Sequence, residues 1–194
     1  MIILASTSPT RQAILRSAGL AFTAEAPSVD ERQLAARNHQ WSPAELAENL
    51  ACAKAMDVSS RNPAATTIGA DQVLACEGVT YNKPRDLEDC RRQLLSLRGR
   101  SHRLFSAVAC ARDHRLQWQT TEIATLHMRN FSESFLDTYL RTYAQYASGS
   151  VGGYQIESAG IQLFDDIEGG HFTILGLPLL PLLDYLRNAG IIPA

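Results

Sequence analysis

The sequence predicts an α/β or α+β domain built on a mixed central sheet with flanking helices. Three observations carry that prediction. Short apolar or β-branched runs such as Ile2–Ala5 and Thr66–Ala75 read as strands. Segments with capping residues and helical spacing lie between them, as at Ser42-Pro43-Ala44-Glu45. The two kinds of segment intermix without strict alternation, which argues against a doubly wound nucleotide fold.

The elements follow in order. Residues 2–5 form a buried strand, and the next helix has Ser8 as its cap, Pro9 at its first position, apolar Ile14, Leu15 and Ala18, and Gly19 as its stop. A second strand covers Phe22 to Ala26. Ser42 and Glu45 make a capping box that opens a helix to about Val58, with Leu46, Leu50 and Ala53 as its apolar stripe and Lys54 beside that stripe. Thr66 to Ala75 is a central strand interrupted by Asp71-Gln72.

A helix over Asp86–Arg98 places Leu87, Cys90, Leu94 and Leu97 on one face and ends at Gly99. His102–Cys110 and Leu116–Met128 are strands around the turn Arg112-Asp113-His114. Ser132–Gln145 is a third long helix, and Ser148–Gly153 is a glycine-rich loop. Short strands are expected near Tyr154–Glu157 and Gly160–Leu163. A last helix carries Leu182, Leu183 and Leu186 and ends at Gly190.

Composition narrows the function. The 194 residues are 45% hydrophobic and 20% charged, enough for one sizeable core, so a single domain over residues 1–194 is expected, with room for two lobes. A formal net charge of -2 gives no electrostatic basis for binding a nucleic-acid polymer or an anionic membrane. No run approaches the roughly 18 apolar residues of a membrane span. Cys52, Cys76, Cys90 and Cys110 lack C-x-x-C spacing, which suits a reducing cytoplasm.

Chemistry is sought next among the charged residues. P-loop, Rossmann, hydrolase-elbow and zincin spacings are absent. Asp71 lies in the apolar run Ile68-Gly69-Ala70-Asp71-Gln72-Val73-Leu74, where a charge is desolvated unless paired, and buried charges persist mainly where they bind a cation or do chemistry. Capping a turn is its ordinary alternative. Asp30-Glu31, in a loop after Pro27, is either a hard oxygen ligand for Mg²⁺ or an ordinary solvated acidic pair. Ser8-Pro9-Thr10-Arg11 turns a strand into a helix, where backbone donors and a guanidinium can meet phosphate.

Lys83, in the extended Asn82-Lys83-Pro84, is a candidate phosphate clamp or else a solvated loop lysine. Arg11, Lys54 and Lys83 as cations, with Glu31 and Asp71 as carboxylates, suit a metal-assisted reaction on a polyphosphate.

Eight ordered blocks resemble the Maf family of nucleoside triphosphate pyrophosphatases. They are Leu4-Ala5-Ser6-Thr7-Ser8-Pro9-Thr10-Arg11, Val29-Asp30-Glu31, Leu50-Ala51-Cys52-Ala53-Lys54-Ala55, Ile68-Gly69-Ala70-Asp71-Gln72-Val73, Asn82-Lys83-Pro84, Leu97-Arg98-Gly99-Arg100-Ser101-His102, Gly152-Gly153-Tyr154 and Gly176-Leu177-Pro178-Leu179. The resemblance implies a two-lobed, inosine triphosphatase-like fold around a cleft. It also implies cytoplasmic hydrolysis of a nucleoside triphosphate to monophosphate and pyrophosphate with a divalent cation, Mg²⁺ or Mn²⁺.

Carried onto matching positions, it makes Asp71 the base or water-orienting residue and Glu31 its companion at the metal. Ser8, Arg11, Lys54 and Lys83 would hold the triphosphate, and Gln72 and Glu157 would contact base or phosphate. Gln12 stands where the family often has a second arginine, and Val151-Gly152 where it usually has Ala-Gly. The run Ile156-Glu157-Ser158 is closer to the 7-methyl-GTP type than to the dTTP and UTP type. A carboxylate at Glu157 matches the N–H donors of a guanine edge, unless Glu157 is simply a surface strand residue. A nucleotide-sensing or septum-regulating protein with little turnover is the alternative, and a homodimer is left open.

Overall fold

The computed structural model of the chain describes residues 1–147 and 149–193, and the side chains of these except 144–147. It divides into two compact units. The first comprises Met1–Gln72, Phe105–Ile123 and Gly170–Ala194, and the second Val73–Leu104 and Ala124–Gly169.

The elements are β1 (Ile2–Ala5), α1 (Pro9–Ser17), β2 (Phe22–Ala24), α2 (Glu31–Arg37), α3 (Pro43–Arg61), β3 (Thr66–Cys76), β4 (Val79–Tyr81), α4 (Leu87–Leu97), β5 (Ser101–Arg112), β6 (Arg115–Met128), α5 (Glu133–Ala147), β7 (Phe164–Glu168), α6 (His171–Ile174) and α7 (Leu179–Asn188). The expected mixed sheet with flanking helices is present. In the first unit the strand order is β2-β1-β3-β5-β6, and in the second β4 pairs with β3 and β7 with β6. β1 runs parallel to both neighbours, with Ile3 opposite Thr67 and Ala5 opposite Gly69.

Burial on both faces explains why β1 is continuously apolar and why β3 is apolar or β-branched apart from Gly69 and Asp71-Gln72. Alternate residues point to opposite faces, so Leu4, Ile68 and Ala70 join one cluster with Ile14 and Leu15 of α1 and Leu182 and Leu186 of α7. Ile3 and Ala5 face the other way, against Val58 of α3. On that second face α3 lies directly on β3. A Cβ built on Gly69 would fall 2.1 Å from Ala51 O and 2.5 Å from Ala55 N, which only glycine accommodates.

Several boundaries differ from those read in the sequence. β3 runs unbroken through Asp71-Gln72, because β5 lies along the edge opposite β1 and β4 pairs with it from Leu74, and the burial of Asp71 is met by charge partners rather than by a turn. The buried face of α3 is Ala47, Leu50, Ala51, Lys54, Ala55 and Val58, so Lys54 stands on the sheet-facing stripe and not beside it. Helix α2 was not anticipated, and Glu31 is its first residue rather than a loop residue. Its small, polar sequence buries no side chain and so leaves no apolar period to detect.

Residues 154–157 are not a strand, and Ala159–Leu163 is a 3₁₀ helix; the last strand is Phe164–Glu168. Short helix α6 also went unread. Of the glycine-rich loop, Val151–Gly153 forms a 3₁₀ turn, and Ser148 lies outside the described residues.

Candidate active site

A chain of local hydrogen bonds sets the first part of the site. Ser8 ends the extended run after β1 and caps α1 by accepting from Arg11 N at 3.4 Å, while its own N–H donates to Ser6 Oγ at 3.2 Å. The cap fixes where Arg11 leaves the helix. Arg11 Nη1 donates to Ala70 O at 2.9 Å, and its Nε donates to Gly176 O at 2.9 Å. β1 pairing has ended one residue earlier, at Ala5 opposite Gly69. The guanidinium therefore takes up the next carbonyl of β3 and binds it to the loop that opens α7.

Period-two alternation then aims Asp71. Thr67, Gly69 and Asp71 share the face of β3 that meets α3; Thr67 Oγ1 donates to Ala55 O at 2.9 Å, and Gly69 lets the helix approach. One helical turn along, Lys54 reaches Asp71: its Nζ lies 2.5 Å from Asp71 Oδ1 and 2.7 Å from Glu31 Oε1. Asp71 and Lys54 are buried, whereas Glu31 is half exposed.

Asp30 caps α2 through Oδ1, which accepts from Gln33 N at 2.9 Å, so of the neighbouring acids only Glu31 is turned toward Lys54. Arg61 secures the approach to α2 by donating to Glu25 Oε1 at 2.7 Å, Asp57 Oδ2 at 2.8 Å and Ala26 O at 3.2 Å.

Electrostatics follow from burial. Desolvation raises the Asp71 carboxyl above its ordinary value, against the opposing pull of Lys54 and Arg11. Desolvation likewise lowers the Arg11 guanidinium, opposed by Asp71 and Glu31. A buried carboxylate and ammonium thus meet a second carboxylate that reaches them from the solvent side. Both acids offer hard oxygen donors toward one cation, a donor set that fits Mg²⁺ or Mn²⁺.

Gln72 turns to the opposite face. Its Nε2 donates to Ser106 Oγ at 2.9 Å, Thr173 O at 3.1 Å and Ile174 O at 3.0 Å, so its amide hydrogens tie β3 to α6. Ser106 Oγ also donates to Thr173 O at 2.6 Å, and Thr173 Oγ1 donates to Glu122. Nothing in the sequence marked Ser106, Glu122 or Thr173, which are single residues outside any motif.

The structure therefore brings Ser8, Arg11, Glu31, Lys54, Asp71 and Gln72 into the first unit. Lys83 and Glu157 are exposed residues of the second. Also in the second unit, ligand atoms of His127, Asp166 and Glu168 lie within 4.8 Å of one another. No described helix is long and apolar enough to cross a membrane.

Known proteins match nearly the whole of this chain in sequence. A family model described as "Maf-like protein" matches residues 1–189. A protein named nucleoside triphosphate pyrophosphatase from Paramagnetospirillum magneticum is 50% identical, covering 97% of this chain and 98% of its own. A 7-methyl-GTP pyrophosphatase from Brucella abortus is 45% identical, covering 96% and 95%, and one from Rhizobium meliloti is 45% identical, covering 100% and 98%. A crystal structure titled nucleoside-triphosphatase / dITP/XTP pyrophosphatase, from Mycobacterium abscessus, aligns over 99% of this chain and 97% of that one, at 14% identity and a TM-score of 0.47.

Proposed function

The chain belongs to the Maf family, and on that premise we propose that it hydrolyses a nucleoside triphosphate to the monophosphate and pyrophosphate, with 7-methyl-GTP the favoured substrate. One observation carries the reading: buried Lys54 contacts both Asp71 and Glu31, beside an arginine bound to the carbonyl just before Asp71.

In this proposal Asp71 orients and deprotonates the water that attacks the α-phosphorus. Its desolvated carboxyl holds a proton more readily than an ordinary aspartate, which suits a base working nearer neutral pH. Glu31 and Asp71 would hold a divalent cation, which when bound neutralises phosphate oxygens. Ser8, at the first turn of α1, and Lys54 would hold the triphosphate. Arg11 acts first as a positioning residue, with two of its donors on backbone carbonyls, and its remaining Nη2 takes the phosphate role.

For Lys83 and Glu157 the roles rest on the family motifs alone: a triphosphate clamp and an acceptor for a guanine edge. Residues 1–194 are taken to act as one nucleotide-hydrolysing domain. We place it in the cytoplasm, where its four free thiols stay reduced.

The test is a panel of ordinary and 7-methylated nucleoside triphosphates, assayed for released pyrophosphate with Mg²⁺ or Mn²⁺. Turnover highest on 7-methyl-GTP is expected. Release of inorganic phosphate only, or no product from any nucleotide, overturns the reading.

A further inference from the structure

The two acids assigned to the metal already share a cation, the ammonium of Lys54. We infer that Lys54 is a removable placeholder: it competes with the divalent cation for the Asp71 and Glu31 oxygens and must swing away for the cation to bind. This rests on the functional reading of the same site given above.

The geometry makes the competition direct. An ammonium has three donors and no acceptor, and Lys54 Nζ spends its charge on Asp71 Oδ1 at 2.5 Å and Glu31 Oε1 at 2.7 Å. A divalent cation held through those same two oxygens at roughly 2.0–2.1 Å would lie too close to Nζ for both to stay, so the competition is for Asp71 Oδ1 and Glu31 Oε1, the oxygens that Lys54 holds.

Only one part of Lys54 can yield. Its backbone is fixed, because α3 contacts β3 across Gly69 with no room for a Cβ. Its four-carbon stem is rotatable. The Lys54 and Asp71 side chains are 7% and 9% exposed, whereas Glu31 is 52% exposed, so the opening to water lies on the Glu31 side. Arg11 is not interchangeable with Lys54 in this role, since it is held by Ala70 O and Gly176 O. A displaced ammonium is then a mobile cation beside the carboxylates, in position to meet an arriving phosphate.

The experiment measures Mn²⁺ affinity by calorimetry without nucleotide. Lys54→Met and Lys54→Gln are compared with the parent chain; the Gln variant keeps a donor for Asp71 should the Met variant not fold. Mn²⁺ is expected to bind tenfold or more tightly to either variant, and the gain to vanish in Asp71→Asn/Glu31→Gln/Lys54→Gln. Arg187→Gln removes an exposed cation of α7 without touching the two acids or the approach to α2, and should change affinity less than twofold.

Unchanged affinity in the Lys54 variants overturns the inference, as does an equal gain in Arg187→Gln or a gain that survives neutralising both acids. Failure of the functional reading is separately visible: absent turnover by the parent chain removes that reading, while the Mn²⁺ comparison still decides whether Lys54 is a placeholder.

Discussion

Gly69 and Ala51 meet so closely that a Cβ on Gly69 would lie 2.1 Å from the Ala51 carbonyl oxygen. The contact is backbone against backbone, so no side chain can rotate away to relieve it. Two residues on, the same strand face presents Asp71 to Lys54. Gly69→Ala should therefore push α3 off β3, destabilising the protein by about 1–3 kcal/mol or more and lengthening the Lys54–Asp71 contact. Thermal melting and pyrophosphate release should fall together. A variant with unchanged melting temperature and turnover would show that the close approach does not set the site.

Asp71→Asn tests the base itself. The carboxamide keeps the shape and can still meet Lys54, but it cannot accept a proton from water. Removing a general base typically slows turnover about 10²–10⁴-fold. The far-ultraviolet spectrum should stay native while kcat falls by that factor. A loss of less than tenfold in kcat takes Asp71 out of the proton-transfer step.

The residue types of this site were legible in the sequence, but their arrangement was only partly so. Asp71 stood out because a charge in an apolar strand needs a partner, and the partner is Lys54. The strand period that aims Asp71 at α3 was hidden by reading Asp71-Gln72 as a break. Lys54 was misplaced because the small residues Ala47, Ala51 and Ala55 mark the buried face of α3 more faintly than Leu46 does. Pairings such as Arg11 with Ala70 O and Gly176 O join residues 59 and 165 positions apart. They use backbone carbonyls, which every residue carries, so no residue type announces them. Helix α2 went unread for a similar reason, since it buries no apolar face.

Arg11→Lys distinguishes a positioning arginine from a simple phosphate clamp. A lysine keeps the charge but replaces a planar fork with a single rotatable head group. It cannot span Ala70 O and Gly176 O as Nη1 and Nε do. Each charged hydrogen bond contributes about 1.5–3 kcal/mol, so losing one should lower stability by that amount and turnover by one to two decades. Arg11→Lys is expected to fail nearly as badly as Arg11→Ala in both melting temperature and kcat. Near-parental behaviour of the lysine variant would leave charge alone as the requirement.

Acid sensitivity should come from His102 in the second unit. Its Nε2 lies 2.7 Å from Tyr154 Oη, and its ring packs against Tyr154 and Phe164, which also meet each other edge-on. Its Nδ1 is without a partner among the described residues. Burial, with a smaller contribution from His127, lowers its pKa from 6.5 to about 4. The sign follows from proton uptake: between these values the unfolded chain binds a proton that the folded chain refuses. Stability from this group is therefore full above about pH 6.5 and is lost as the pH falls toward 4, by about 3 kcal/mol. His102→Gln, which has no proton to take up, should flatten that part of the curve. Urea unfolding at steps between pH 7 and 4.5 measures it, and parallel slopes for the two proteins would assign the acid sensitivity to other groups.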